Sequence, residues 1–422
     1  MTERLLQFIW RFQYFNKGQL ESVAGEPLHV IFAGQLNTNQ GPDFSNAKIN
    51  IDGTIWAGTV ELHIRTTDWD RHHHQQDKKY NNVILHVVWE DDGIINAIPV
   101  LELKTRVPKL LLQRYEEMML AYNFIPCERK IHVVDDITWT GWKTRLVAER
   151  LIQKAKMLDA SLELNHAHWE ETFWWLLARN FGMSVNTEAF EAIARSLPLS
   201  ILAKYKHQPV TLEAILLGQA GLLERKFKEA YPQLLQKEYK FYQRKNAVKP
   251  VNTPVLFLRM RPGNFPTIRL AQLAALVHES AHLFSKIKEA NCLKDVKSCF
   301  DITTSEYWDT HYRFDKISAF KKKSPGAAMI DNIIINTVCP ALFAYGSYHG
   351  EQTYKDRAVA WLEESDPEMN AVTRGFQKAG VQIASAADSQ ALIELKNEYC
   401  NPRRCLECTI GHALLKNTRT PC

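Results

Sequence analysis

The sequence lacks several features, and each absence argues against a class of protein. No segment supplies about twenty uncharged apolar residues, as a membrane-spanning helix would. Residues 1–15 carry charges at Glu3, Arg4 and Arg11 and contain no small-residue cleavage site, so we expect an amphipathic helix there and not a signal peptide. Low-complexity tracts and internal repeats are also missing. These absences predict a globular cytoplasmic protein.

The most easily recognised nucleotide and esterase motifs are absent as well. The chain contains no G-x-x-x-x-G-K, no G-x-G-x-x-G and no G-x-S-x-G. A strong charge of either sign is also missing, because the net charge is only +5, which permits nucleic acid as a partner without requiring it. What the chain does have is length and apolar content: 422 residues, 45% of them hydrophobic, predict two or three domains with cores of their own.

The first hundred or so residues alternate short apolar segments with polar loops. Strands are predicted over residues 28–34, 47–51, 54–64, 83–89 and 97–104. The first should be buried, and the pair Asp52-Gly53 is typical of a hairpin turn. Beyond Pro108 the apolar spacing becomes helical. The prediction is an α+β protein with three parts: an α/β domain over 1–107 whose mixed sheet has flanking helices, a large all-α domain over 108–395, and a cysteine knuckle over 396–422.

Polar residues recur on the predicted strands in positions that could form one pocket. Side chains alternate along a strand, so Glu61 and His63 share a face of the segment 54–64. Asp43 precedes the first strand of the hairpin, and His86 lies on the strand 83–89. Each of these residues alone is more often structural, since aspartate caps turns and a strand histidine is usually a hydrogen-bonded core residue. Together they form a candidate site.

This arrangement resembles the PD-(D/E)xK nuclease superfamily, in which an aspartate and a (D/E)xK triplet on neighbouring strands surround a divalent metal. The resemblance implies that Asp43 and Glu61 hold Mg²⁺ or Mn²⁺, which could generate hydroxide for phosphodiester cleavage. His63 occupies the position of the usual lysine, where it would orient or deprotonate water. The resemblance also implies a nuclease-like fold for the N-terminal domain.

The polar segment 67–80 is expected to be a solvated loop or short helix that carries His72, His73 and His74. A loop histidine could nevertheless complete a metal shell. We therefore name His74 and Asp68, together with His86, as auxiliary candidates.

Three of the eight cysteines crowd near the C-terminus. Cys400, Cys405 and Cys408 have the spacing C-x4-C-x2-C, which allows thiolates to converge on one metal. The candidates for the fourth ligand are Cys127, His412 and Cys422. Some nucleases of the superfamily named above hold an iron–sulfur cluster with one distant and three C-terminal cysteines, although in a different spacing. Zinc, an iron–sulfur cluster and plain buried thiols all remain open.

Two further segments supply alternatives. His278, Glu279 and His282 fit H-E-x-x-H, which on a helix would indicate a zinc metallopeptidase. Residues 222–249 mix basic and aromatic side chains, as nucleic-acid-binding surfaces do, although a solvated helix face with buried aromatics explains them better.

Several phrases, among them GPDFSNAKI, NNVILHVVW, RPGNFPTIRLAQLAAL and RCLECTIG, are similar to an uncharacterised bacterial family of domain-of-unknown-function proteins. That resemblance implies a bacterial protein and no particular activity. The function expected from the residues is a metal-dependent nuclease-like protein that acts on or binds DNA or RNA. The alternative is a non-catalytic nucleic-acid-binding or scaffold protein with a structural metal.

Overall fold

The computed structural model describes residues 1–93, 98–258, 260–280 and 282–416. It confirms the predicted α+β class, with a mixed sheet in the N-terminal part followed by many helices. The strands are β1 (Leu28–Phe32), β2 (Gln35–Leu36), β3 (Phe44–Ile51), β4 (Thr54–Arg65), β5 (Val83–Glu90), β6 (Val100–Glu102), β7 (His311–Arg313) and β8 (Lys316–Ile317).

The helices begin and end as follows: α1 (Glu3–Phe12), α2 (Asp68–Arg71), α3 (Lys109–Leu120), α4 (Asp136–Leu164), α5 (Trp169–Phe181), α6 (Met183–Arg195), α7 (Leu199–Lys204), α8 (Pro209–Gln219), α9 (Ala230–Asn246), α10 (Pro266–Glu279), α11 (Leu283–Glu289), α12 (Leu293–Ser298), α13 (Ala327–Ile333), α14 (Cys339–His349), α15 (Gln352–Glu364), α16 (Ala371–Lys378), α17 (Ala386–Glu394) and α18 (Thr409–Lys416). The remaining helical segments are short 3₁₀ or π turns.

The described chain falls into two compact units. The sheet unit comprises residues 1–142, 378–381 and 395–416, and the helical unit comprises residues 143–377 and 382–394. The C-terminal cysteines therefore belong to the same unit as the sheet. The predicted domains 1–107, 108–395 and 396–422 were placed where the sequence pattern changes. Their boundaries do not coincide with those of the two compact units.

The sheet places the candidate residues on its central strands. Its order is β1-β3-β4-β5-β6, with β2 paired to β3. Strands β3 and β4 form the predicted hairpin, and Asp52 and Gly53 both adopt positive φ (48° and 80°), as a tight two-residue turn requires. β5 runs parallel to β4, so the chain between them must cross over; this crossover contains α2 and two 3₁₀ turns.

Strand β1 differs from its prediction in burial. It pairs only with β3 and lies at the edge of the sheet, and Ile31 and Phe32 are 49% and 45% exposed. The expected buried strand is therefore wrong, because an apolar run alone does not distinguish a central strand from an edge strand.

Helix α1 covers the apolar face of the sheet. Thr2 caps it by accepting a hydrogen bond from the Leu5 backbone N–H at 3.3 Å, and its buried side chains join a core that includes Val60 and Leu62 of β4. Since side chains alternate along β4, Glu61 and His63 point to the opposite face, towards the crossover. The fold thus separates an apolar face under α1 from a polar face beneath α2.

In the helical unit, the stretch Ala327–His349 is long and apolar enough by composition to cross a membrane, but 67% of its most apolar window is buried inside the protein. Such burial is typical of a core helix. The cytoplasmic location stays a prediction.

Candidate metal centre

Two neighbouring strands position the first members of the site. Glu61 and His63 lie on β4, and His86 lies beside Glu61 on the parallel strand β5. All three side chains are buried, with 6%, 2% and 0% exposure. Buried polar groups need partners, and here the partners come from one another and from the crossover segment.

The crossover returns two further histidines to this face. After α2 the backbone of His73 adopts a positive φ of 59°, which reverses the chain and leaves His73 exposed. On either side of this reversal, His72 and His74 point back to His63. His74 is also fixed by stacking on Tyr80, with ring centroids 3.9 Å apart.

The imidazole nitrogens converge at distances suited to a metal. His63 Nε2 lies 3.1 Å from His72 Nδ1 and 3.3 Å from His74 Nε2. Zinc–nitrogen bonds of about 2.0–2.1 Å in a tetrahedron place ligand nitrogens about 3.3 Å apart. These three ligand nitrogens all lie within 4.8 Å of one another.

Glu61 adds a carboxylate to the same point. Its Oε1 lies 3.5 Å from His63 Nε2 and 3.4 Å from His74 Nε2, while its Oε2 accepts a hydrogen bond from the backbone N–H of Asp43 at 3.0 Å. Each of the converging atoms carries a lone pair unless it is protonated. A cation bound by the imidazoles would satisfy their lone pairs and balance the charge of the carboxylate. We call Glu61, His63, His72 and His74 the histidine centre.

Asp43 lies beside the histidine centre. One of its carboxylate oxygens accepts a hydrogen bond from the Gln7 side chain at 2.8 Å, and the other accepts one from the Leu62 backbone N–H at 3.1 Å. Both oxygens are thus occupied by protein donors. In this arrangement Asp43 positions Glu61 and does not face the histidines.

His86 lies behind the centre. Its Nε2 is 2.8 Å from His63 Nδ1, and its buried Nδ1 has no partner among the described residues. If His63 Nδ1 donates this hydrogen bond, His63 Nε2 keeps the lone pair that a metal needs. A histidine that orients a metal ligand in this way is a common outer-shell arrangement.

The surroundings of His63 and His74 favour their neutral forms. Burial, with added repulsion from His86, His74 and His72, lowers the pKa of His63 to about 2, and burial also lowers the pKa of His74. Burial, reinforced by the neighbouring Asp43, raises the pKa of Glu61 to about 8. Burial raises the pKa of Asp43 to about 6. Neutral imidazole is the form that binds metal, so these histidines need lose no proton to do so.

The structure therefore brings Glu61, His63, His74 and His86 together and places Asp43 next to them. The third auxiliary candidate, Asp68, lies elsewhere: its Oδ2 accepts a hydrogen bond from the Arg65 backbone N–H at 3.0 Å, and its Oδ1 pairs with Arg71. His72 was the residue that sequence patterns missed. Its only signal was its place in the His-rich run of the crossover, which we expected to be solvated.

Four cysteines of the sheet unit also lie near one another. Burial raises the pKa of Cys400 above its ordinary value, and the thiols of Cys408, Cys127 and Cys405 raise it further. Burial likewise raises the pKa of the Cys127 thiol, and the thiols of Cys408 and Cys405 raise it further. All four are free thiols; Cys127 is half-buried and the other three are buried. We call Cys127, Cys400, Cys405 and Cys408 the thiol cluster.

N–H groups point at one sulfur of this cluster. Cys408 precedes α18 and accepts hydrogen bonds from the backbone N–H groups of Ile410 and Gly411 and from the Trp142 side chain, which lower the pKa of its thiol against the larger effect of burial. Such donors stabilise a thiolate that binds metal.

The other proposed fourth ligands lie outside the thiol cluster. The His412 ring packs against Phe12 at 4.1 Å between centroids, and its Nε2 makes a short contact with the Tyr14 hydroxyl. Cys422 lies outside the described residues. Arg403 lowers the pKa of the Cys405 thiol, and its guanidinium donates hydrogen bonds to carbonyl oxygens at the end of α3, including that of Ala121 at 2.8 Å.

The H-E-x-x-H segment does not lie on one helix. α10 ends at Glu279, and Ser280 is extended (φ −154°, ψ 120°), so His282 does not follow His278 by one helical turn. His278 Nδ1 instead lies 2.6 Å from the carbonyl oxygen of Lys206. The face of two histidines that a zinc peptidase of this type needs is absent here, and Ala281 between them lies outside the described residues.

The basic and aromatic segment forms α9 and its flanks. Phe227, Tyr239 and Tyr242 are buried, whereas Phe241 is 66% exposed. Most of its aromatics thus belong to the core, and one remains on the surface with the exposed Lys237 and Lys240.

Comparisons with known proteins identify a family. No curated protein and no solved structure matches the chain. One family model matches residues 3–371, a range that includes the histidine centre and Cys127 but not the other three cysteines of the thiol cluster. The likeness to PD-(D/E)xK nucleases therefore stays a prediction, and the chain belongs to the family described as "Protein of unknown function (DUF2851)".

Proposed function

We propose that this protein is a metal-dependent hydrolase, that its metal is bound by His63, His72 and His74, and that its substrates are phosphodiester bonds in nucleic acid. One observation carries the proposal: His63 Nε2 lies 3.1 Å from His72 Nδ1 and 3.3 Å from His74 Nε2, and all three nitrogens lie within 4.8 Å of one another. Ligand atoms at these distances match the edges of a metal coordination polyhedron.

The ligand set favours zinc over the Mg²⁺ or Mn²⁺ that the nuclease resemblance implies. Imidazole suits zinc and other late first-row metals, whereas Mg²⁺ prefers carboxylate and water oxygens. Three imidazoles would leave a coordination position for water. Catalytic zinc sites commonly have this composition, while structural zinc sites have four protein ligands.

Glu61 is placed to act as the general base. Its Oε2 is held by the Asp43 backbone N–H, and its Oε1 lies 3.5 Å from His63 Nε2 and 3.4 Å from His74 Nε2. A zinc ion held by the three histidines would supply activation of water, whose pKa it lowers to about 7. Glu61 would accept a proton from the attacking water and return it to the leaving oxygen as the bond between phosphorus and that oxygen breaks. His72 is exposed, so the centre opens to solvent on that side.

Support for a nucleic-acid substrate is electrostatic. The chain is mildly basic, with a net charge of +5, and α9 presents lysines beside the exposed ring of Phe241. Lysines bind phosphates and an exposed ring can stack on a base.

The test is a cleavage assay with metal-free protein resupplied with Zn²⁺, Mn²⁺ or Mg²⁺. Labelled single- and double-stranded DNA and RNA are the substrates, with bis(p-nitrophenyl) phosphate as a minimal phosphodiester. We expect Zn²⁺-dependent cleavage that falls by about 10²–10⁴ in Glu61→Gln, the usual contribution of a general base. His73→Asn, which changes the exposed histidine between two ligands, is the matched control and should remain active. Wild type that is as inert as Glu61→Gln on every substrate rejects the hydrolase proposal.

A second candidate function is supported by the thiol cluster. We propose that these cysteines hold a structural metal group, which would suffice for a non-catalytic scaffold or nucleic-acid-binding protein. Four thiolates are the ligand set of both a structural zinc ion and an iron–sulfur cluster. Anaerobically purified protein should then contain either zinc, or iron and sulfide with visible absorption; protein without either metal at these cysteines would contradict the proposal.

A further inference from the structure

The helical unit contains a cavity of about 460 Å³ that is lined on one side by α10 and on the other by residues 321–329. Its lining includes four basic side chains, Arg269, Lys321, Lys322 and Lys323, and no carboxylate. Lys321 and Lys322 are exposed, so the cavity reaches the surface. Lining of this kind concentrates positive charge within one concave site.

Arg269 is the buried member of this set. It is only 6% exposed, and its partners are amide oxygens: Nη1 donates to Gln272 Oε1 at 2.8 Å and Nη2 donates to Asn264 Oδ1 at 2.5 Å. Its buried Nε has no hydrogen-bond partner among the described residues. In the part of the chain that the structure describes, no carboxylate forms an ion pair with it. A buried guanidinium without a counter-charge is costly, and burial accordingly lowers the pKa of Arg269 to about 10.

The lysine segment is held in place by its own contacts. Gln272 donates a hydrogen bond to the carbonyl oxygen of Lys323 at 3.1 Å, which ties the segment to α10. Lys323 is buried and turns its ammonium group towards backbone carbonyls, including that of Lys321 at 2.7 Å, and over the ring of Tyr312 at 4.1 Å. Asp309, which does not line the cavity, raises the pKa of Lys323 against the larger lowering effect of burial. Lys321 and Lys322 are thus left at the mouth of the cavity.

We propose that this cavity, the cationic pocket, binds a phosphate group, with Arg269 at its base and Lys321 and Lys322 at its mouth. The guanidinium fork of arginine matches phosphate oxygens, and lysine supplies mobile positive charge around them. A bound phosphate would give Arg269 the counter-charge that the protein itself does not supply. The chemistry fits both a free nucleotide and the terminal phosphate of a nucleic-acid strand.

The proposal is tested by binding measurements on the full-length protein at constant ionic strength. The probes are inorganic phosphate, adenosine 5′-monophosphate with adenosine as its control, and a single-stranded oligonucleotide with and without a 5′-phosphate. We expect saturable binding of the phosphate-bearing member of each pair. Tightest binding of adenosine monophosphate would identify a nucleotide, and tightest binding of the phosphorylated strand would identify a nucleic-acid end.

Variants separate this pocket from general electrostatic attraction. Lys321→Ala/Lys322→Ala removes two exposed side chains and should weaken binding about tenfold, and Arg269→Gln should weaken it at least as much, since hydrogen bonds to charged groups contribute about this much. Lys156→Ala/Lys204→Ala removes the same charge from exposed positions of the same unit and should leave phosphate affinity unchanged.

Equal affinity in wild type and Lys321→Ala/Lys322→Ala, or equal loss in Lys156→Ala/Lys204→Ala, would overturn the proposal. The lysine pair decides the matter even if Arg269→Gln does not fold, because both lysines are exposed.

Discussion

The histidine centre and the thiol cluster are two groups of candidate metal ligands in the same unit, and the chain assembles them in opposite ways. The histidine centre comes from one strand and the adjoining crossover, residues 61–74, and one of its imidazoles is exposed. The thiol cluster joins Cys127 to residues 400–408 and is largely buried. An open site built from neighbouring residues suits catalysis, whereas a closed site that ties distant segments together suits stability.

The two groups also differ in protonation. Burial lowers the pKa of His63 and His74, so these imidazoles are neutral and ready to bind metal. Burial raises the pKa of Cys405 to about 12, so its thiol must lose a proton when metal binds. Burial therefore favours the metal-binding form of the imidazoles. It disfavours the thiolate form of the cysteines, which needs the positive charge of a bound metal.

The largest expected effect is loss of metal from the histidine centre. In His63→Ala the zinc content attributable to this centre should fall from about one ion per chain to nearly none, because His63 contacts both other histidines. Elemental analysis after exposure to zinc measures this. His73→Asn should keep its zinc, and if the two variants retain equal amounts, the centre as described does not bind metal.

The next largest effect concerns the thiol cluster. Cys405→Ser/Cys408→Ser should abolish the cluster's metal and lower the melting temperature by roughly 10 °C, since a structural metal group contributes directly to folding. Cys292→Ser, at an exposed cysteine of the helical unit, is the control and should do neither. If the double variant keeps all of its metal, the thiol cluster is not a structural metal site and does not differ from the histidine centre in the way described.

The third prediction concerns Glu213 of α8, a buried carboxyl group that differs from Glu61 in its hydrogen-bond partners. Glu213 is also buried, but protein donors satisfy it: Trp308 Nε1, Ser305 Oγ and the Tyr231 hydroxyl lie 2.6–3.2 Å from its oxygens. Burial raises its pKa to about 7 from 4.5. The folded state then holds a proton that the unfolded state has lost, so its contribution to stability is complete below the unfolded pKa and disappears as the pH rises through about 7.

For Glu213→Gln we therefore expect the free energy of unfolding to depend less on pH. Between pH 5 and pH 8 wild type should lose about 3 kcal/mol of unfolding free energy that the variant does not lose. Urea denaturation from pH 5 to pH 8 measures the difference, with metal-free protein used throughout. Parallel curves for wild type and variant would show that Glu213 is ionised in the folded protein over this range.

The smallest effect is expected at Asp43. Because both of its oxygens accept hydrogen bonds from Gln7 and Leu62, Asp43→Asn should keep the metal and weaken its binding by about tenfold, as outer-shell changes do. A competition titration with a zinc chelator reports the affinity. Complete loss of metal would instead make Asp43 a ligand and restore the two-carboxylate arrangement that the sequence predicted.

Local patterns predicted much of the fold and half of the site. The Asp52-Gly53 turn, the alternation along β4 and the helical spacing after Pro108 each depend on neighbouring residues, which is why the hairpin and the shared face of Glu61 and His63 could be predicted. The spacing of the C-terminal cysteines likewise indicated a cluster.

What could not be predicted depended on contacts between distant or irregular segments. The return of His72 and His74 requires the positive φ of His73 and the stacking of His74 on Tyr80, neither of which leaves a periodic pattern. The end of α10 at Glu279 likewise leaves no pattern in the sequence, so the H-E-x-x-H segment was predicted to be helical throughout. Arg269 and Lys321 become neighbours only through the folding of the helical unit.

The most direct test of the central claim is X-ray absorption at the zinc edge on Cys405→Ser/Cys408→Ser protein loaded with one zinc ion per chain. The account predicts a shell of nitrogen and oxygen at about 2.0–2.1 Å with the scattering pattern of several imidazoles. A shell dominated by sulfur at about 2.3 Å, or a zinc ion without imidazole ligands, would contradict it.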